Sequence, residues 1–87
     1  MADGAGWDDD LVVALARGKD PGLPEDTARE LAVLAREHLR AVGAPDAPEV
    51  ARRLLADHRE AGATAANVVA RAAVEHAVER GLLAPGD

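Results

Sequence analysis

The sequence predicts an all-α fold, a small antiparallel four-helix bundle, and three observations carry that expectation. Four segments of helical periodicity each stop at a glycine, at Gly18, Gly43, Gly62 and Gly81. The links between them are short, which makes consecutive helices antiparallel neighbours. No segment alternates apolar and polar residues as a half-buried strand does. At 87 residues the chain has room for one core, burying roughly 60–65% of the surface its unfolded form exposes. The expected domain is 7–83, with a small, acidic, disordered segment at 1–6 and a tail at 84–87.

The first helix is expected over 8–17. Trp7, Leu11, Ala14 and Leu15 recur at helical spacing as its inner face, and Asp8, Asp9 and Asp10 put negative charge where the helix dipole favours it. Gly18 ends it, and Lys19-Asp20-Pro21-Gly22-Leu23 reads as a turn. Pro24 suits the first position of a second helix over 24–42, followed by Glu25 and Asp26 in its first turn. Its inner arc is Ala28, Leu31, Leu34, Ala35, His38, Leu39 and Val42.

After a break at Ala44-Pro45, Asp46-Ala47-Pro48-Glu49 has the form of a capping box that opens a third helix over 47–61. That helix turns Val50, Ala51, Leu54, Leu55 and Ala61 inward. Thr64 is the expected cap of the fourth helix, over 65–80. There Ala66, Val69, Ala70, Ala73, Val74 and Ala77 form a broad apolar arc, and Asn67, Arg71, Glu75 and Glu79 a narrow polar stripe. A helix so nearly apolar all round is covered on several sides, so it is expected to be the central rod. Leu82 after Gly81 suits a Schellman close. The predicted core gathers Trp7, Leu11, Leu15, Leu31, Leu34, Leu54, Leu55, Val69 and Val74.

Composition restricts function more than it assigns it. Apolar residues make up 48% of the chain, about half of them alanine, and Trp7 is the sole aromatic. Stability must therefore come from many close contacts between small side chains. The residue usage is that of GC-rich codons and suggests a high-GC bacterium. Net charge is −6, with four acids in the first ten positions and no polybasic footprint for nucleic acid or anionic lipid. With no cysteine, thiolate metal sites and disulfides are excluded. The longest apolar run, Leu11–Ala16, is far short of a membrane span, so a cytoplasmic protein is expected.

Serine and tyrosine are absent too. Thr27 and Thr64 sit at helix starts and Lys19 in a turn, so no activated nucleophile is evident. The missing serine also removes an acyl-carrier reading, because a prosthetic arm needs that hydroxyl. Gly4, Gly6 and Gly22 match no phosphate-cradling pattern. Carboxylate pairs such as Glu75 and Glu79 lie among arginines on polar faces, the pattern of a solvated helix surface. Neither cofactor nor small-molecule substrate is expected, and the chain is not expected to be an enzyme.

Two constellations stand out against this background. His38, His58 and His76 each lie within an apolar arc. At 1.5 Å per residue in antiparallel helices, His38 lies about 7 Å, His76 about 4 Å and His58 about 18 Å from a common end. His38 and His76 could therefore meet and His58 cannot join them. The reading adopted is of histidines at the edge of the core, with an incomplete metal shell or a pH-responsive contact as the alternatives. On the outer face of the second helix Arg29, Arg36 and Arg40 align with Val33 beside them, interleaved with Glu25, Asp26, Glu30 and Glu37. Arg29, Val33, Arg36 and Arg40 are candidate partner contacts, as are Val68 and Val78, which interrupt the polar stripe of the fourth helix.

The stretch Gly62-Ala63-Thr64-Ala65-Ala66-Asn67-Val68-Val69-Ala70-Arg71-Ala72, followed by Gly81-Leu82-Leu83, resembles the turn and recognition helix of GntR-type winged helix-turn-helix regulators. His58 stands where that pattern has a small residue, and the Arg71-Ala72 pair falls one place late. The resemblance implies a DNA-binding regulator working through residues 50–83, although that helix sets Arg71 and Arg80 against Glu75 and Glu79. The expectation adopted is a non-catalytic protein-protein interaction module, of adaptor, recruitment or regulatory type, docking a protein partner or a second copy of itself. Nucleic acid and membrane are not its expected partners. An antitoxin or immunity-type neutraliser, using the acidic first ten residues as a nucleic-acid mimic, is the other alternative.

Overall fold

The computed structural model describes residues 7–42 and 46–81, without the side chains of residues 40–42. Four α-helices follow one another: α1 (Asp9–Lys19), α2 (Glu25–Val42), α3 (Ala47–Asp57) and α4 (Gly62–Glu79), with a single 3-10 turn (Arg59–Ala61) between the last two. The chain is a small all-α four-helix bundle, with no strand among the described residues. None of its described helices is long and apolar enough to cross a membrane. The expected 1–6 and 84–87 segments, the Gly43 stop, the Ala44-Pro45 break and the Leu82 close lie outside the described residues.

As its all-round apolar pattern requires, α4 is the central rod and packs against each of the other three helices. Its buried residues are Ala65, Ala66, Val69, Ala70, Ala72, Ala73, His76 and Ala77. Asn67, Arg71, Glu75 and Glu79 form its exposed stripe. Among the described residues, eleven of the nineteen buried apolar side chains are alanine, so the helices must approach closely for the interior to fill.

The inner face of α1 differs from the expectation. Val12, Val13 and Ala16 are buried, whereas Leu11 and Leu15 remain 38% and 36% exposed and Trp7 is half-buried. The cause lies in how α1 meets α4. The backbone N–H of Asp8 reaches His76, and Lys19 pairs with Glu75 at 2.9 Å. Both ends of α1 are thus tied to one turn of α4, so α1 crosses it rather than running its length. The crossing favours the smaller valine and alanine side chains on the contact face.

Gly18 does not stop α1, which continues through Lys19. The cap is Asp20, whose N–H donates to the Ala16 carbonyl at 2.9 Å. The Asp20 side chain accepts from the Gly22 N–H at 3.1 Å, and its carbonyl accepts from Leu23 at 3.0 Å. This local turn aims Leu23 into the core, where it is buried. The Pro24 carbonyl then accepts the first bond of α2, from Ala28 at 3.0 Å. In α2 the inner residues are Ala28, Leu31, Ala32, Ala35 and Leu39, while Leu34 is half-buried against the core.

The Asp46 side chain caps α3 by accepting from the Glu49 N–H at 2.9 Å. The box is half closed, because the Glu49 carboxylate turns to Arg52 and Arg53. Val50, Ala51 and Leu54 are buried, with Leu55 and Ala61 half-buried. The helix ends at Asp57, four residues before the expected end, with His58 as its cap. Gly62, at φ 90° and ψ 160°, makes the reversal into α4. That backbone conformation is essentially restricted to glycine. The helix begins there, without a side-chain cap, so Thr64 lies inside it. Val74 is half-buried beside the core.

Candidate functional site

The outer face of α2 carries most of the candidate residues, and their roles diverge. Arg29 is fully engaged: Nη1 donates to Asp10 at 2.6 Å and Nη2 to Glu25 at 3.1 Å. The hydrogen bond to Asp10, then that to Glu25, raises its pKa above the usual guanidinium value. Arg29 therefore links α1 to α2. Arg36, two turns along, forms no ion pair among the described residues, and its Nε is buried without a hydrogen-bond partner. The Arg40 side chain lies outside the described residues.

Between these arginines Val33 is 37% exposed. It shares an open groove with Asp26, Arg29, Glu30, Leu34 and His58. The groove has an apolar floor, Val33 and Leu34, and a charged rim. Its far wall exists because α3 stops early and places His58 beside α2, where the imidazole Nε2 meets Glu30 at 2.6 Å and Nδ1 lies 3.8 Å from Glu60. His58 belongs to this site although the sequence pattern assigned it to the interior. A second open groove, lined by Pro48, Ala51, Arg52, Leu55, Ala63, Ala66 and Asn67, runs between α3 and α4.

On α4 the two valines that interrupt the polar stripe are unlike each other. Val78 is 38% exposed, whereas Val68 is half-buried and packed against the core. Nothing in the described structure joins either to the α2 groove.

His38 and His76, which the helix levels allowed to meet, do not, since each has its own partner. His38 pairs through Nε2 with Asp57 of α3 at 2.7 Å. His76, only 1% exposed, faces α1: its Nε2 accepts the Asp8 backbone N–H at 3.0 Å, and its ring meets Trp7 edge to face with centroids 5.0 Å apart. Burial, then the nearby Arg80, holds its pKa below the usual imidazole value, while Asp8, Glu79 and Asp9 pull the other way. The three imidazoles face three different contacts, with His58 bound to Glu30 of α2. Among the described residues no three histidine or carboxylate side chains are grouped to hold a metal ion.

Sequence reasoning missed the Trp7, Asp8 and His76 contact. One signal was present. Asp8 caps α1 through its side chain, yet Leu11 stands three residues later where a capping box has Glu or Gln, leaving the Asp8 N–H in need of another acceptor. No family model, no curated protein and no solved structure matches this chain.

Proposed function

We propose that this protein is a non-catalytic interaction module, of adaptor, recruitment or regulatory type, which docks a protein partner on the outer face of α2. The observation that carries the reading is the groove floored by Val33 and Leu34, with Arg36 three residues beyond Val33 on α2 and in no ion pair among the described residues. Its complement is an amphipathic segment that lays apolar side chains on Val33 and Leu34 and brings a carboxylate to Arg36. Arg29, Glu30 and His58 of the rim are already paired within the chain, which favours a small, specific contact over a broad electrostatic one.

The absence of serine, cysteine and tyrosine from the sequence, and the pairing of Glu25 and Glu49 with arginines on the helix surface, support a binding rather than a chemical role. On α4 the exposed stripe balances Arg71 and Arg80 against Glu75 and Glu79, a weak surface for phosphate. A cytoplasmic bacterial setting accommodates the cysteine-free, GC-rich residue usage.

The test compares the parent chain with Val33→Asp/Arg36→Glu in cross-linking capture from the cells it comes from, with Arg52→Glu as an exposed control on α3. The reading requires a partner held by the parent and by the control and lost by the double variant. Capture that the double variant leaves unchanged overturns it. So does a parent chain that captures nothing and stays monomeric by light scattering.

A further inference from the structure

We infer that Trp7, Asp8 and His76 form an acid-opened latch, in which the neutral imidazole of α4 holds the first turn of α1 and its protonation releases it. Three contacts in consecutive residues make the latch. The Asp8 N–H donates to His76 Nε2 at 3.0 Å, the Trp7 ring sits edge to face on the imidazole, and the Trp7 indole N–H donates to Asp9. His76 thereby fills, from 68 residues away, the place that a Glu or Gln at the third helical position takes in a capping box.

Only the neutral ring can do this. Nε2 must keep its lone pair to accept the amide proton, so a proton taken up there from solvent sets two N–H donors against each other. The new positive charge also faces the positive end of the α1 dipole. An imidazolium that turned to the Asp8 or Asp9 carboxylate would still lose the amide. Arg80 opposes protonation, and the Asp8, Asp9 and Glu79 carboxylates favour it without restoring the bond. Glu75 next to it is paired with Lys19, while the buried side chains of α2 and α3 among the described residues are all apolar.

The sign follows from the lowered value in the fold. A depressed imidazole contributes stability that is fully present above the unfolded value near 6.5 and declines as pH falls through the folded one. Opening is therefore an event of mild acid, and it is local, because the buried residues of α1 begin at Val12.

Trp7 is the single tryptophan, so its fluorescence reads the latch in the intact chain. Lowering the pH from about 8 to about 4.5 is expected to shift its emission to the red and raise its quenching by acrylamide, with far-UV circular dichroism nearly constant. His76→Gln, whose side-chain carbonyl can accept the Asp8 N–H but does not titrate, should show a flat profile; His38→Gln and His58→Gln should keep the transition. Emission and quenching of the parent that do not change with pH overturn the latch, as does a transition that survives in His76→Gln or is lost in the other two. Should His76→Gln fold poorly, hydrogen exchange at the parent's Asp8 amide decides: protection must fall as the His76 ring titrates, and constant protection refutes the inference.

Discussion

Asp57 and His38 are joined at 2.7 Å across the contact between α3 and α2, and the next residue repeats the pairing with the chemistry exchanged, His58 meeting Glu30 at 2.6 Å. Glu30 and His38 lie two turns apart on α2, about 12 Å along its axis. The last residues of α3 thus span α2 and fix where the short helix lies. Each pair is partly exposed, so each is expected to contribute about 0.5 kcal/mol. Double-mutant cycles on His38→Ala with Asp57→Ala, and on His58→Ala with Glu30→Ala, followed by urea unfolding, should give couplings of that size. Couplings indistinguishable from zero would mean that apolar packing alone positions α3.

The register of α1 makes a contrast between leucines testable. Leu31 is fully buried in α2, while Leu11 of α1 is over a third exposed. Leu31→Ala should cost about 2–5 kcal/mol, enough to unfold much of so small a domain. Leu11→Ala should stay within about 0.5 kcal/mol of the parent. Comparable losses at the two sites in denaturant titrations would restore the Leu11 and Leu15 face as the buried one.

This contrast marks where the sequence was legible. The central position of α4 followed from its pattern, because a helix with one narrow polar stripe has to be covered elsewhere. The face of α1 was ambiguous, since Leu11–Ala16 is continuously apolar and offers two arcs of similar strength. What chose between them was the crossing onto α4, a property of two helices together. The same crossing carries Asp8 to His76, and no period within either helix encodes that. The α2 stripe was readable as a surface, but Arg29 and Arg36 look alike in sequence. Arg29 is held by Glu25 on its own helix and by Asp10, nineteen residues away, whereas Arg36 forms no ion pair among the described residues.

Two glycines should respond oppositely to the same substitution. Gly18 lies inside α1 with nothing near the position a Cβ would take. Gly18→Ala is expected to stabilise by about 0.4–1 kcal/mol, by restricting the unfolded chain and improving helix propensity. At Gly62 space is equally open, but φ is 90° and ψ 160°. Gly62→Ala should cost about 1–3 kcal/mol from backbone strain alone. Thermal melts of the two variants should move in opposite directions. A neutral Gly62→Ala would show that the reversal into α4 can be made with another backbone geometry.

The alanine content of the interior limits what its centre can accept. Ala73 has no exposed surface, in the middle of the helix against which all the others pack. A bundle filled by alanines has its helices too close together to accept larger side chains, and interiors of this density adjust only by moving backbone. Ala73→Leu adds apolar area, which by burial alone would stabilise. Overpacking should outweigh that gain, for a net loss of about 1–3 kcal/mol. At roughly 4–8 °C per kcal/mol for a domain of this size, the melting temperature should drop plainly. Ala56→Leu, the same chemical change at an exposed site of α3, should leave it nearly unmoved. A stabilised Ala73→Leu would show the opposite physical situation, a loosely filled centre in which side-chain volume rather than close helix approach limits stability.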